Sequence, residues 1–356
     1  MNITFLLPKY PWKPVGGFRV VYEYANHLTM RGHKITIIHP RRLRKKMPPL
    51  GTLVRDFFLV PKVKWQYIDP RINLAYTPNL DEKYIPDGDI IFATAWQTAE
   101  YVLAYKKSKG DKFYLIQHYE TMYGPKDKID LTWLAPLKKV VIAKWLYEKG
   151  LELGVSPNEM VHIPNGLDLQ KFKLINSIES RPLRVAMLYH KAEFKGSLDG
   201  IKALQIIKEK FPHLKAVLFG TPPRPPILPK WIEYYQKPSQ DRLVADIYNG
   251  SSIYLSPSWT EGWGLPSAEA MACGCAVVSA DNGGIRDFGV PGKTVLLAPV
   301  KSPQILAEQV ITLIKDEQLR ISIAKAGHEN IQKFTWDKAT DKLESFIVNS
   351  INSTVT

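Results

Sequence analysis

The chain has 356 residues, of which 45% are hydrophobic and 11% aromatic, so a disordered, collagen-like or low-complexity protein is excluded. At about 100–200 residues per domain, this length predicts two domains. The net charge of +14 is uneven: residues 1–175 contain 27 basic and 16 acidic side chains, whereas residues 176–356 contain 21 and 18. This asymmetry predicts an anionic partner for the first half, such as nucleic acid, an anionic membrane or a phosphorylated lipid.

Cysteine usage and hydropathy indicate a cytoplasmic protein. The only cysteines, Cys273 and Cys275, cannot frame a disulfide scaffold, and we interpret them as small core residues in a reducing compartment. No run of 18 apolar residues occurs, and the N-terminal residues lack the basic and apolar regions of a signal peptide. We therefore expect neither a transmembrane helix nor a signal peptide.

Strands and helices alternate along the chain, which is typical of an α/β fold with parallel sheets. Residues 3–7 form a short apolar run, and a Pro- and Gly-rich loop at 8–17 separates it from a helical pattern that ends near Gly32. Residues 35–38 complete a βαβ unit. Further strands of this half are predicted at 89–94, 113–117, 139–143 and near 160–163.

A second series of elements follows the polar stretch 176–182, which predicts domains at residues 1–177 and 178–330. We expect the C-terminal residues 331–356 to form a helix that packs back on the first domain. The strands of the second half are predicted at 183–188, 215–219, 252–256, 276–279 and 294–297, and its helices at 197–210, 266–273 and within 303–349.

Paired glycines, Gly16 and Gly17, lie after the first strand and just before a helix. Glycines in this position let backbone N–H groups approach an anion, and the helix dipole favours negative charge there. A plain strand-to-helix turn is the alternative. No G-x-G-x-x-G triplet follows a strand, which argues against a nicotinamide oxidoreductase.

A histidine, His118, lies at the carboxyl end of the strand predicted at 113–117, in the sequence Gln-His-Tyr-Glu. Ligands of open α/β sheets bind at such strand ends. A structural histidine is an equal alternative at this position.

Two lysines, Lys191 and Lys195, lie on the loop after the strand at 183–188. Lysine side chains on such a loop suit the charge of a diphosphate. A solvated loop is the alternative.

The segment from Glu261 to Glu269, Glu-Gly-Trp-Gly-Leu-Pro-Ser-Ala-Glu, also follows a strand and opens a helix. Glu261 must lie in the Gly-rich loop, where it can accept hydrogen bonds from a bound group. Glu269 must lie about one turn into the helix, where it can accept them from a diol, and the glycines free backbone donors for a phosphate. We interpret this segment as a ligand-binding loop.

Two acidic residues, Asp87 and Asp89, have the spacing of a metal-binding D-x-D pair. They precede a strand instead of following one, and such a short pattern recurs by chance. We therefore predict no metal site.

A basic cluster consists of Arg41, Arg42, Arg44, Lys45 and Lys46, and apolar residues follow it at 53–59. The combination favours an anionic membrane surface, with a solvated loop beside a core helix as the alternative. No RNA-binding motif, Cys/His finger or aromatic platform accompanies the cluster, so we expect no nucleic-acid partner.

Together, these segments resemble a retaining glycosyltransferase with the GT-B fold, of glycosyltransferase family 4 (group 1), over nearly the whole chain. The segment from Glu261 to Gly274 is similar to the most specific signature of that family, and Lys195 with Gly196 is similar to its phosphate loop. Further similar positions are Gly16, Gly17, Arg31, Gly32, His33, Pro164, Asn165, Gly166, Leu167, Asp168, Phe172, Gly283, Gly284 and Asp287.

The resemblance implies an α/β fold of two Rossmann-like domains that face a cleft, with C-terminal helices that cross back to the N-terminal domain. Residues 1–177 would bind the acceptor, and residues 178–330 the nucleotide-sugar donor. The implied reaction moves a sugar to a glycan or lipid-linked acceptor in cell-surface polysaccharide or glycolipid biosynthesis. It would need no metal or other cofactor, and the basic N-terminal domain would dock on the inner face of the membrane.

The same resemblance assigns roles to individual residues. His118 would lie near the anomeric centre, Glu261 would contact sugar hydroxyls, and Lys195 would neutralise the diphosphate. Glu269 would hold the ribose hydroxyls. The other donor-binding residues would be Gly16, Gly17, Lys191, Trp263, Gly264 and Leu265.

One position departs from the family pattern, which usually has an arginine five residues before the phosphate-loop lysine. His190 stands there, so either Lys191 substitutes for the arginine or the pocket is less cationic than usual. Other interpretations remain open: a sugar-nucleotide epimerase or a phosphorylase on the same fold, or a non-catalytic basic module that binds membranes or nucleic acid.

Overall fold

The computed structural model describes residues 1–11, 14–43 and 63–355. The chain divides into two compact units. The first unit comprises Met1–Asn165 and Trp336–Thr356, and the second comprises Gly166–Thr335. Each unit has a parallel β-sheet with helices in the connections between its strands.

In the described part of the first unit, seven parallel strands pair in the order β3-β2-β1-β4-β5-β6-β7. These strands are β1 (Asn2–Leu6), β2 (Lys34–Pro40), β3 (Asn73–Thr77), β4 (Ile90–Ala93), β5 (Asp111–Ile116), β6 (Lys138–Val141) and β7 (Met160–His162). The helices are α1 (Gly16–Met30), α2 (Trp96–Ala104), α3 (Lys126–Leu134), α4 (Lys144–Leu153) and, at the C-terminus, α10 (Trp336–Val355). The central strands are apolar on both faces, as sheets covered by helices require, and Phe5 stacks on Phe92 with ring centroids 4.8 Å apart.

The described residues of the second unit form six parallel strands in the order β10-β9-β8-β11-β12-β13. These are β8 (Arg184–Leu188), β9 (Lys215–Gly220), β10 (Ile232–Gln236), β11 (Ile253–Ser256), β12 (Ala276–Ala280) and β13 (Val295–Ala298). The helices are α5 (Ser197–Lys210), α6 (Gln240–Arg242), α7 (Leu265–Ala272), α8 (Pro303–Lys315) and α9 (Glu317–Ile331), and α6 runs into a π-helix at Leu243–Tyr248. Short 3-10 turns lie at Glu82–Tyr84, Lys107–Lys109, Pro157–Glu159, Glu193–Lys195 and Gly284–Asp287.

The C-terminal helix α10 belongs to the first unit, which confirms that the chain crosses back. The ring of Trp336 packs edge-on against Tyr24 of α1, with centroids 5.3 Å apart. At the end of α1, Arg31 and His33 hydrogen-bond to Glu344 of α10. The Arg-Gly-His sequence after α1 therefore fastens the C-terminal helix.

The change of unit lies between Asn165 and Gly166, ahead of the boundary expected at 177/178. Residues just after this point are held by the second unit. The N–H of Leu167 donates to the carbonyl of Phe334, and the N–H of Ile175 donates to Asn249 Oδ1 at 2.8 Å. These bonds fix residues that precede the polar stretch 176–182 on the second unit, so the change of unit comes before that stretch.

The two cysteines are buried, free thiols in the second unit. Burial raises the pKa of Cys275 to about 12, so this thiol stays protonated at neutral pH. Across the described residues, no helix combines the length and the apolar composition needed to cross a bilayer.

Candidate functional site

The loop after β8 places Lys195 at the start of α5. The loop closes with Gly196, which adopts a left-handed conformation with φ of 59°. A Cβ atom there would lie 2.1 Å from the carbonyl oxygen of Pro257, so no other residue fits without a backbone shift. The glycine thus lets the loops after β8 and β11 touch.

Lys195 and Glu261 form an ion pair across these two loops. Lys195 Nζ donates to both carboxylate oxygens of Glu261 at 2.8 Å. The N–H of Glu261 donates to the carbonyl of Asn282 at 3.0 Å, which fixes the carboxylate-bearing loop. The structure therefore brings together two of the three predicted catalytic residues.

These two residues line one pocket at the carboxyl ends of β8 and β11, as expected for a ligand site in an open α/β sheet. Its other lining residues are Leu188, His190, Tyr254, Ser256, Pro257, Ser258, Gly264, Pro266 and Ser267. Gly264 has φ of 100° and caps α7, whose first residue is Leu265. The carboxyl end of the Gly-rich loop therefore lines the same pocket as the Lys195–Glu261 pair.

The side chain of Trp263 is buried in the core of the second unit. Its ring packs against Phe288 and Phe334, with centroids 4.7 and 5.8 Å apart. Trp263 is therefore a core side chain, and it is not among the residues that line the pocket.

Glu269 lies in α7 and is only 4% exposed. Its Oε2 accepts a hydrogen bond from the hydroxyl of Tyr248 at 3.0 Å. Tyr248 is fully buried and ends the π-helix, an element that is rare and often lies at functional sites. Sequence reasoning missed Tyr248, because nothing in its own segment marks it as more than a core residue.

His190 and Lys191 take different positions. His190 lines the pocket, and its Nδ1 accepts a hydrogen bond from the N–H of Ala192 at 3.0 Å. Lys191 is exposed and is not among the residues that line this pocket.

In the first unit, the paired glycines meet the Gln-His-Tyr-Glu segment. Gly16 is the first residue of α1, and the carbonyl of Gly17 accepts a hydrogen bond from Gln117 Nε2 at 3.0 Å. The ring of His118 lies edge-on to Trp145, with centroids 5.4 Å apart. Two of the segments singled out from sequence therefore lie side by side at the carboxyl ends of β1 and β5.

The carboxylate of Glu120 was not singled out from the sequence. Its Oε2 accepts from the N–H of Trp96 at 2.7 Å, at the first turn of α2, and from Tyr114 Oη at 3.4 Å. Burial raises the pKa of Glu120 to about 7, although these hydrogen bonds favour the ionised form. A carboxyl that titrates near neutrality thus lies two residues from His118.

The Asp87 and Asp89 carboxylates have structural partners: Asp87 pairs with Lys109 at 2.7 Å, and Asp89 accepts from the N–H of Asn2 at 2.7 Å. Within the described ranges, no three His, Cys, Asp or Glu side chains are grouped to hold a metal ion. Of the basic cluster, Arg44, Lys45 and Lys46 lie outside the described residues, as do the apolar residues at 53–59.

Residues 182–330, within the second unit, match the sequence model of the family described as glycosyl transferases group 1. The D-inositol 3-phosphate glycosyltransferase of Corynebacterium glutamicum is 29% identical over 182 residues, which is 47% of this chain and 43% of that protein. An uncharacterized glycosyltransferase of Methanocaldococcus jannaschii is 35% identical over 95 residues, or 27% of each chain. The predicted resemblance to group 1 glycosyltransferases is confirmed, and the chain spans less than half the length of these curated relatives.

Solved structures resemble the whole chain. Sucrose-phosphate synthase of Thermosynechococcus elongatus has a TM-score of 0.74 at 16% identity, and the match covers 99% of both chains. HepE of Anabaena, solved in complex with UDP and glucose, also has a TM-score of 0.74 at 16% identity. That match covers 98% of this chain and 100% of HepE. At this identity the likeness concerns the fold, and it confirms the predicted GT-B class with two Rossmann-like units.

Proposed function

We propose that the chain is a retaining glycosyltransferase that moves a sugar from a nucleotide-sugar donor to a glycan or lipid-linked acceptor. The Lys195–Glu261 pair in the pocket of the second unit carries this proposal. The family match over residues 182–330 supports it, and so does the UDP and glucose bound by HepE, a protein of the same fold.

The reaction breaks the bond between the anomeric carbon and the diphosphate, so negative charge develops on the leaving group. Lys195 supplies a positive charge at that point, and its ammonium group donates to both carboxylate oxygens of Glu261. In such sites, loss of one stabilising contact typically costs about 10²–10³ in rate. We propose that the leaving phosphate deprotonates the acceptor, that no protein nucleophile takes part, and that no divalent metal is needed.

The remaining roles are part of the same proposal. Glu269, about one turn into α7, binds the ribose hydroxyls, and the Gly-rich loop offers backbone N–H groups to the sugar and phosphates. Gly17 and His118 of the first unit stay predicted donor contacts. The cleft between the units, the cytoplasmic location and docking of the basic first half on an anionic membrane surface stay predictions.

The proposal is tested by calorimetric binding of UDP-glucose, UDP-N-acetylglucosamine, GDP-mannose, dTDP-rhamnose and ADP-glucose in the presence of EDTA. We expect one donor class to bind and Glu269→Gln to weaken that binding. Glu308→Gln, an exposed carboxylate of α8, is the matched control. Failure of every donor to bind would contradict the proposal.

Transfer is then measured with the donor that binds. NMR of the product identifies the anomeric configuration, which we expect to match that of the donor. Inverted product would refute the retaining mechanism, and a requirement for added Mg²⁺ or Mn²⁺ would refute the metal-independent one. Vesicles of anionic lipid, with and without a lipid-linked acceptor, separate membrane docking from acceptor recognition.

A further inference from the structure

The backbone of His190 is hydrogen-bonded to the first residue of α5. Its N–H donates to Ser197 Oγ at 2.9 Å, and its carbonyl accepts from the same hydroxyl at 2.9 Å. Ser197 is the first residue of α5, where the helix presents unpaired N–H groups and positive potential. These bonds fix the His190 backbone at a helix start, where this exposed residue lines the pocket that contains Lys195.

The ring itself is held in one protonation form. The N–H of Ala192 donates to His190 Nδ1 at 3.0 Å, so this nitrogen accepts and carries no proton. In neutral imidazole the proton then lies on Nε2, which makes Nε2–H a hydrogen-bond donor. Protonation to imidazolium would place a second N–H against the Ala192 N–H and break this bond.

On balance, the surroundings of the ring also favour its neutral form. Partial burial and then the nearby Lys195 ammonium lower the pKa of His190, against a weaker opposing effect of Glu261. Tyr254, which also lines the pocket, is a buried phenol whose pKa burial raises further, so it brings no charge at neutral pH. The ring is therefore neutral around pH 7.

We infer that His190 contacts the bound donor as a neutral Nε2–H donor and stays neutral when the diphosphate binds. This inference rests on the proposed function and deepens it. The family's usual guanidinium at this position is permanently charged, whereas His190 supplies a hydrogen bond without a charge. Lys195 then carries the cationic role on this loop, and Lys191 does not replace the arginine.

The first test is long-range ¹H–¹⁵N NMR of the histidine rings, with the donor that binds in the calorimetric screen. The sugar diphosphate is esterified at both ends, so the probe itself does not titrate between pH 6 and 8. We expect a His190 signal of the Nε2–H form, unchanged in protonation and shifted at Nε2 on binding. The exposed His213 is the internal control. An imidazolium signal in the complex would overturn the inference.

The second test compares three variants. His190→Ala should weaken donor binding by up to about tenfold, whereas His190→Gln, whose side-chain N–H₂ is also a neutral donor, should stay within about threefold. His190→Arg should tighten binding of UDP more than binding of the nucleotide sugar, because free UDP carries more negative charge. Wild-type binding enthalpies that depend on the ionisation enthalpy of the buffer would reveal proton uptake and overturn the inference.

The outcomes separate this inference from the proposed function. Should no nucleotide sugar bind the wild-type protein, both fall together. Should a donor bind with proton uptake, or bind His190→Ala as tightly as wild type, only the role of His190 is wrong.

Discussion

Lys195 Nζ lies 2.8 Å from each carboxylate oxygen of Glu261, and the two side chains are only 23% and 14% exposed. The residues come from the loops after β8 and β11, which are paired neighbours in the sheet. Solvent screens such a pair less than a surface ion pair, so each partner fixes the other in the pocket. The geometry leaves the ammonium group positioned before any donor arrives.

Lys195→Met is expected to lower kcat/KM by about 10²–10³, because the diphosphate leaving group loses its positively charged contact. Steady-state rates with the preferred donor measure this change. The matched control is Lys202→Met, an exposed lysine of α5, which should leave the rate unchanged. A Lys195→Met protein with a rate within threefold of wild type would remove Lys195 from the mechanism.

Tyr248→Phe is expected to weaken nucleotide-sugar binding by about tenfold, since a hydrogen bond to a charged group is worth more than a neutral one. The lost hydroxyl donates to Glu269 Oε2 at 3.0 Å, so the variant removes one of the bonds that orient this carboxylate. The preference for ribonucleotides over 2′-deoxyribonucleotides should fall in parallel.

Tyr105→Phe is the control for Tyr248→Phe. It removes another buried tyrosine hydroxyl, which donates to the carbonyl of Leu80 at 2.5 Å in the first unit. Both variants should lose some stability. Only Tyr248→Phe should change the ribose preference, and an unchanged preference would mean that Tyr248 is structural only.

The central strands could be predicted from sequence because both of their faces are buried. The run at Ile90–Ala93 is apolar without interruption, and all four residues are buried. The bounds of α5, Ser197–Lys210, also match the prediction, because Gly196 marks its start and its apolar positions recur at helical spacing.

The edge strands β3 and β10 were missed for the opposite reason. Each has one neighbour in its sheet, and Asn73–Thr77 and Ile232–Gln236 are mostly half-exposed, so neither shows a continuous apolar run. The helices α2, α3 and α4 were not predicted either. In α3 the outer face carries leucines that obscure the helical pattern: Leu131 is 66% exposed and Leu134 is 50% exposed. Local patterns therefore predict buried elements better than partly exposed ones.

In the candidate site, too, local sequence patterns predicted some residues and missed those whose role depends on packing. Lys195 and Glu261 lie on loops, and Glu269 lies about one turn into α7. The glycine and charge patterns of these segments are visible in the sequence. Tyr248 comes close to Glu269 only through the packing of the π-helix against α7, and no local pattern encodes that contact. Glu120 lay within a recognised segment, but the burial that raises its pKa depends on the position of α2.

Compared with wild type, Glu120→Gln is expected to stabilise the first unit more at pH 8 than at pH 4.5. Burial raises the pKa of Glu120 from 4.5 to about 7, so the native state binds more protons than the unfolded state between these values. Wild-type stability therefore falls as the pH rises through this window, by at most about 3 kcal/mol from this group. The amide cannot ionise, and its oxygen can still accept from the N–H of Trp96.

Thermal unfolding of wild type and Glu120→Gln across pH 4.5–8 measures this difference. Glu100→Gln, an exposed carboxylate on α2, provides the control and should show no such trend. Parallel stability curves for wild type and Glu120→Gln would show that the Glu120 carboxyl ionises in the native state as it does in the unfolded chain.

Glu344→Gln is expected to loosen the C-terminal helix α10 from the first unit. Glu344 accepts hydrogen bonds from Arg31 and, at 2.7 Å, from His33 Nε2. Burial opposes ionisation, but these two partners prevail and lower the pKa of Glu344. The contribution of Glu344 to the stability of the first unit is therefore complete above the unfolded pKa near 4.5 and is lost as the pH falls through the lower native pKa.

Because both side chains of the Arg31–Glu344 pair are about one-quarter exposed, we expect Glu344→Gln to lose about 1 kcal/mol of stability at pH 7, or roughly 2–4 °C in Tm. Calorimetric unfolding at pH 7 and pH 3 tests this, with Glu308→Gln as control. The variant should have a lower Tm than wild type at pH 7, and the difference should be smaller at pH 3. Equal Tm values at pH 7 would show that the Arg-Gly-His contact does not hold the helix.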